Sequence, residues 1–244
     1  MTSDVKLPPY SESLDSKERS ALGSQSKATR IAGNVQTCSI KDLQSDYLKI
    51  VCESPTSYYI CLTVDPTPIY TIKFVSDSKV GDVQIFWASE PSQPPVAAAR
   101  LSPPNTKRTE AVAMICCSEP HLPDAHWTSL IRSTLFSMGE DYRMSIPVVT
   151  APGLAPTPCQ FGWRTGMCDP LIELWWDSPL PYSVERLYSK NDRDSRYLFA
   201  TGVRGTPEKP ENLIEMRRGA GMEFEMTVVL GFLAILHQQN RQLA

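Results

Sequence analysis

What this chain lacks narrows its function sooner than what it contains. No apolar run is long enough to cross a bilayer: the uncharged stretch Met226–Leu236 has eleven residues, against about 20 for a membrane-spanning helix. There is no cationic excess, since 24 Lys and Arg face 27 Asp and Glu for a formal net charge of −3. Bulk attraction to nucleic acid or to an anionic membrane is therefore excluded as the organising force. None of the seven cysteines falls in a C-x-x-C pair, and their number is odd. Met1–Ile40 has no apolar run of the kind that directs secretion. Together these lead us to expect free thiols in a reducing, intracellular and cytoplasmic setting, with nuclear or peripheral-membrane placement also compatible.

The machinery of catalysis is equally sparse. Only three histidines occur, and no Gly-x-Ser-x-Gly elbow is present. Gly219-Ala220-Gly221 precedes an apolar stretch, but Phe224 stands where a dinucleotide fingerprint needs its third glycine. Paired carboxylates such as Asp192/Asp194 and Glu223/Glu225 fall in a charged turn and at a helix start. No nucleophile, base and oxyanion donor assemble, so the expectation is a non-enzyme with no cofactor. There is no internal repeat, and no helix alternates with strands, which excludes a parallel βαβ architecture.

Residues 1–46 hold six basic and six acidic groups and no aromatic between Tyr10 and Tyr47. So little apolar surface cannot offset the entropy of ordering, and a disordered arm is expected. Within it, Leu7-Pro8-Pro9-Tyr10 has the form of an extended proline-rich ligand for a WW-type groove. The rest, 47–244, reads as one domain, for which the period of two is the main signal. Tyr58, Ile60, Leu62 and Val64 alternate with Tyr59, Cys61 and Thr63, and Tyr70, Ile72 and Phe74 alternate with Thr71 and Lys73; Val83, Ile85 and Trp87 follow after Gly81-Asp82. Further strands are expected at Pro95–Leu101, Ala111–Cys117, Tyr142–Val149, Cys159–Arg164, Leu171–Asp177, Tyr182–Lys190, Arg196–Val203 and Glu211–Arg218. The segment His126–Phe136 is ambiguous, because Trp127, Leu130, Ile131 and Leu135 have helical spacing. The chain's 21 prolines mark the loops between these strands.

One long helix is expected, from Met222 to Arg241. Glu223 and Glu225 in its first turn and Arg241 near its end suit the macrodipole. Its middle has no polar stripe apart from Thr227, so it must be enclosed on all sides. A sandwich fills its own core and has no room for such a helix. The expected fold is therefore mainly β: a closed antiparallel barrel of about twelve strands around a central apolar carboxy-terminal helix.

Two clusters are candidate sites. Arg186, Lys190, Arg193, Arg196, Arg204, Lys209, Arg217 and Arg218 outnumber Asp192, Asp194, Glu208, Glu211 and Glu215. Guanidinium and ammonium groups hold a phosphate headgroup through charge-assisted hydrogen bonds; the plainer reading is a solvated outer barrel face. Cys116, Cys117, His121 and His126 form the only metal-like cluster. Adjacent cysteines on a strand point to opposite faces, so buried thiols and loop histidines are expected there, and no metal. Trp175-Trp176 should place one ring inside and one outside.

Tyr58-Tyr59-Ile60, Trp127 to Arg132, Tyr142-Arg143-Met144 and Phe161-Gly162-Trp163-Arg164-Thr165 occur in the order seen in a known family. Leu213-Ile214-Glu215-Met216, Gly221 and Phe224 through Leu236 follow, so the likeness spans Tyr47 to Arg241. In these features the chain resembles the tubby C-terminal-like superfamily, with LURP-one-related proteins and scramblases, and is most similar to uncharacterised tubby-like proteins of fungi. The resemblance implies a twelve-stranded barrel threaded by its final helix, serving as a non-enzymatic binding module. Its partner would be an anionic phospholipid headgroup or a protein, held on the outer face. Tubby proteins bind phosphoinositides through a basic pair two residues apart on a strand; here the strand Ile69–Val75 holds only Lys73. The alternative is a carrier barrel with an open internal cavity, in which the helix packs outside.

Overall fold

The computed structural model describes residues 45–76, 78–103, 106, 110–133, 139–148, 153–166, 171–177, 198–205, 211–217 and 221–242. They lie in one compact unit, Gln36–Ala244. Twelve strands run in chain order: β1 (Ser45–Ser54), β2 (Ser57–Leu62), β3 (Tyr70–Phe74), β4 (Val83–Trp87), β5 (Ala97–Leu101) and β6 (Ala111–Cys116). Then follow β7 (Thr128–Ser133), β8 (Gly139–Val148), β9 (Thr157–Gly166), β10 (Leu171–Trp176), β11 (Leu198–Val203), β12 (Asn212–Arg217) and the helix α1 (Met222–Gln242). Each strand pairs with its sequence neighbours, and β1 pairs antiparallel with β12 to close the barrel. The wall then has no free edge, the strongest protection a sheet has against pairing with another chain.

The alternation that predicts strands also aims side chains into the lumen. Cys159, Phe161 and Trp163 point inward from β9, and Ile172, Leu174 and Trp176 from β10. The helix completes the core: Phe224, Met226, Val228, Val229, Leu230, Phe232, Leu233, Ala234, Ile235 and Leu236 are all buried. Those positions cover every side of the helix, so the wall surrounds it. Enclosing each large apolar side chain contributes about 1.5–3 kcal/mol relative to leaving it in water. At the amino-terminal end of α1, Phe224 meets Phe161 and Phe199 with ring centroids 5.6 and 5.9 Å apart. Phe199 joins them because β11 carries an extra residue there: Leu174 pairs with Ala200 while Trp175 pairs with Leu198. Such a bulge re-aims one side chain. Further along, Gly202 leaves the space that the Phe232 ring fills, and a Cβ at Gly231 would stand 2.8 Å from Trp163 Nε1.

The structure decides one open expectation and corrects another. His126–Phe136 contains a strand, Thr128–Ser133, hydrogen-bonded on both sides. Leu130 faces in and Ile131 faces out at 40% exposure, so the period is two. Trp127, which lent the segment its helical spacing, lies outside the strand with the Arg100 guanidinium 3.9 Å from its ring centroid. Secondly, β1 was not foreseen as a strand. Only Leu48 and Ile50 face the core from it while Tyr47 is 54% exposed, a weak apolar signal in a polar stretch. The first two residues of β1, Ser45 and Asp46, fall in the stretch expected to be a disordered arm. The expected strand Tyr182–Lys190 and residues 1–44, with Leu7-Pro8-Pro9-Tyr10, lie outside the described residues.

Candidate functional site

Of the basic cluster, Arg186, Lys190, Arg193, Arg196, Lys209 and Arg218 lie outside the described residues. The two described members are held at different ends of one strand pair. Arg204 follows β11 beside the Val203–Leu213 pair, whereas Arg217 ends β12 just beyond the Ala200–Met216 pair. Five residue steps of strand put them roughly 15 Å apart along the wall. The Arg217 guanidinium lies 5.1 Å from the Phe199 ring centroid, so part of its charge is held against an aromatic face. The structure does not gather these two arginines into one site.

The cysteines separate as their spacing requires. The Cys117 sulfur lies 2.9 Å from Thr227 Oγ1 on the central helix, while the Cys116 thiol donates to the Ser118 carbonyl at 3.3 Å. Burial pushes the Cys117 thiol up to about 12 although part of the residue is accessible, because its sulfur faces the core. No group of three potential metal ligands occurs among the described residues. No helix among them is long and apolar enough to cross a membrane.

Inside one part of the wall sits a polar group. Arg132 of β7 pairs with Glu140 of β8, whose other oxygen accepts the Tyr142 hydroxyl at 2.5 Å. Burial first, and then the bond to Glu140, hold the Tyr142 phenol well above its ordinary range. This group satisfies charges that face inward, which is a structural task.

The outer face of β8, β9 and β10 carries a cleft of about 300 Å³ lined by Asp141, Arg143, Gly162, Arg164 and Asp177. Register assembles it: Asp141 stands opposite Arg164, and Arg143 opposite Gly162. On the other side Glu173 faces Arg164 and Trp175 faces Gly162. Arg164 is fixed in place, with Nη2 2.8 Å from Asp177 Oδ1 and its guanidinium 5.3 Å from the Trp175 ring centroid. The Trp175 indole in turn donates to Glu173 Oε2 at 2.9 Å. Gly162 is the floor: the Asp177 carboxylate occupies the place of a Cβ there. As expected, Trp176 is buried and Trp175 lies on the outer face. The sequence reading missed this cleft. Its signal was Gly162 in the middle of a strand, the mark of a close approach by another group.

No family model, curated protein or solved structure matches this chain.

Proposed function

We propose that this chain is a non-enzymatic, tubby-like recognition module that engages an anionic phospholipid headgroup or a protein on the outer face of its barrel. The observation that carries this reading is the filled lumen. Leu230, Phe232, Ala234 and Ile235 of α1 are fully buried within the wall, so the helix occupies the space in which a carrier would hold cargo. The exterior is what remains for recognition, and the cleft on β8–β10 is polar. The tubby likeness is supported by a closed twelve-stranded antiparallel barrel with a helix after the last strand. The lipid version draws on the arginines between Arg186 and Arg218, acting on phosphate oxygens by charge-assisted hydrogen bonds.

Co-sedimentation of the full chain with phosphatidylcholine vesicles, with and without a phosphoinositide, tests it. Retention only on the anionic vesicles, weakening as salt rises, is expected of the lipid version. Failure on every anionic vesicle, at low salt as well as high, leaves the protein-partner version, to be tested by cross-linking in extract. Saturable uptake of a fluorescent fatty acid into the core overturns the reading in favour of a carrier.

A further inference from the structure

We infer that the cleft on β8–β10 receives an extended peptide segment bearing one basic and one acidic side chain two residues apart. The inference rests on the reading of the barrel as an exterior recognition module and names a site and a ligand class for it. It begins with what is already paired in the cleft. Arg164 is engaged by Asp177 and stacked on Trp175, while Glu173 accepts from the Trp175 indole. Asp141 and Arg143 also line the cleft, yet neither makes an ion pair or a side-chain hydrogen bond among the described residues. Tyr142 and Met144 beside them are buried; Asp141 and Arg143 therefore share the outward face of β8.

Two unengaged opposite charges at positions i and i+2 of a strand sit roughly 6–7 Å apart. An extended peptide laid along β8 repeats that spacing, so a basic side chain meets Asp141 as an acidic one meets Arg143. Arg143 offers five donors in a fixed fork suited to a carboxylate. A simple anion fits less well: Asp141, Glu173 and Asp177 outnumber Arg143 and Arg164 on this face, and like charge repels it. A simple cation meets Arg143. A ligand of both signs matches both free groups. Ile131, opposite Arg143 on β7 and 40% exposed, gives the peptide backbone an apolar edge to lie on.

The test is an NMR titration of the full chain with three blocked pentapeptides, Ser-Lys-Ser-Glu-Ser, Ser-Glu-Ser-Glu-Ser and Ser-Lys-Ser-Lys-Ser. Saturable shifts centred on β8–β10 are expected with the first and about tenfold weaker binding with the other two, each of which sets a like charge against Asp141 or Arg143. Asp141→Arg should abolish binding of the mixed peptide. Combining it with Arg143→Asp should restore binding, because the peptide then lies in the opposite direction. Both positions face solvent, so these variants keep the fold, which circular dichroism checks. Stronger binding of the doubly acidic peptide, or no rescue by the swap, overturns the inference. Retention of vesicle or protein binding by Asp141→Arg alongside loss of the peptide keeps the exterior-module reading while moving its main surface elsewhere; failure of all three arms together removes both.

Discussion

The glycine at 231 sits where the helix packs against the wall with little slack. A Cβ there would lie 2.8 Å from Trp163 Nε1, and Trp163 is itself fully buried. Gly231→Val therefore forces one of two enclosed groups to move and should cost about 1–3 kcal/mol, read as a lower urea midpoint with an unchanged slope. Gly162 limits the cleft in the same way: Gly162→Val should expel the Asp177 carboxylate and break its pair with Arg164, with little effect on stability because that pair is exposed. A crystal structure of the variant with the Asp177–Arg164 pair intact would contradict this. Titration gives a further prediction. Burial raises the Cys117 thiol to about 12, and the Cys61, Cys116 and Cys159 thiols and the Tyr142 phenol are raised as well. Each such group stays protonated in the folded chain at a pH where the unfolded chain has released its proton. Their contribution is complete below about pH 9 and is lost as pH climbs through the raised values. Thermal unfolding should thus begin to fall above about pH 9, and a melting temperature constant up to pH 11 would contradict the burial of these groups.

At the scale of elements, the strands with clean alternation were legible and those with a weak apolar face were not. β9 and β10 announce themselves through Phe161, Trp163, Leu174 and Trp176, all of which face the core. β1 offers the core only Leu48 and Ile50, and β7 chiefly Leu130, so local pattern gives way there to pairing with neighbours that lie elsewhere in the chain. The cleft was illegible for the same reason. Asp141, Gly162 and Asp177 are remote in sequence, and only the β8–β9–β10 register sets them side by side. The helix was legible because eleven residues without a charge admit one environment. Leu230, at its middle and fully buried, gives the sharpest test: Leu230→Asp places an unpaired charge in the core and should yield insoluble or non-cooperatively unfolding protein. A soluble variant with the parental transition would mean the helix is not enclosed.

For the molecule as a whole, the register Ser45 with Arg217 through Ile50 with Asn212 makes every strand dependent on the seam between β1 and β12. A truncation that stops before Ser45 keeps the seam, and its melting temperature should stay close to that of the full chain. One that continues through Ser54 removes β1, leaves β2 and β12 with unpaired edges, and should abolish the cooperative transition in calorimetry. The seam joins segments separated by most of the chain, and α1, which fills the interior, follows both. A nascent chain must therefore hold eleven apolar-faced strands and then a twelfth without the filler they were shaped for. Refolding should be slow, in the millisecond-to-second class of non-local β folds, and a ribosome stalled just before Met222 should display a hollow, adhesive precursor in need of chaperone cover until the last turns of helix emerge.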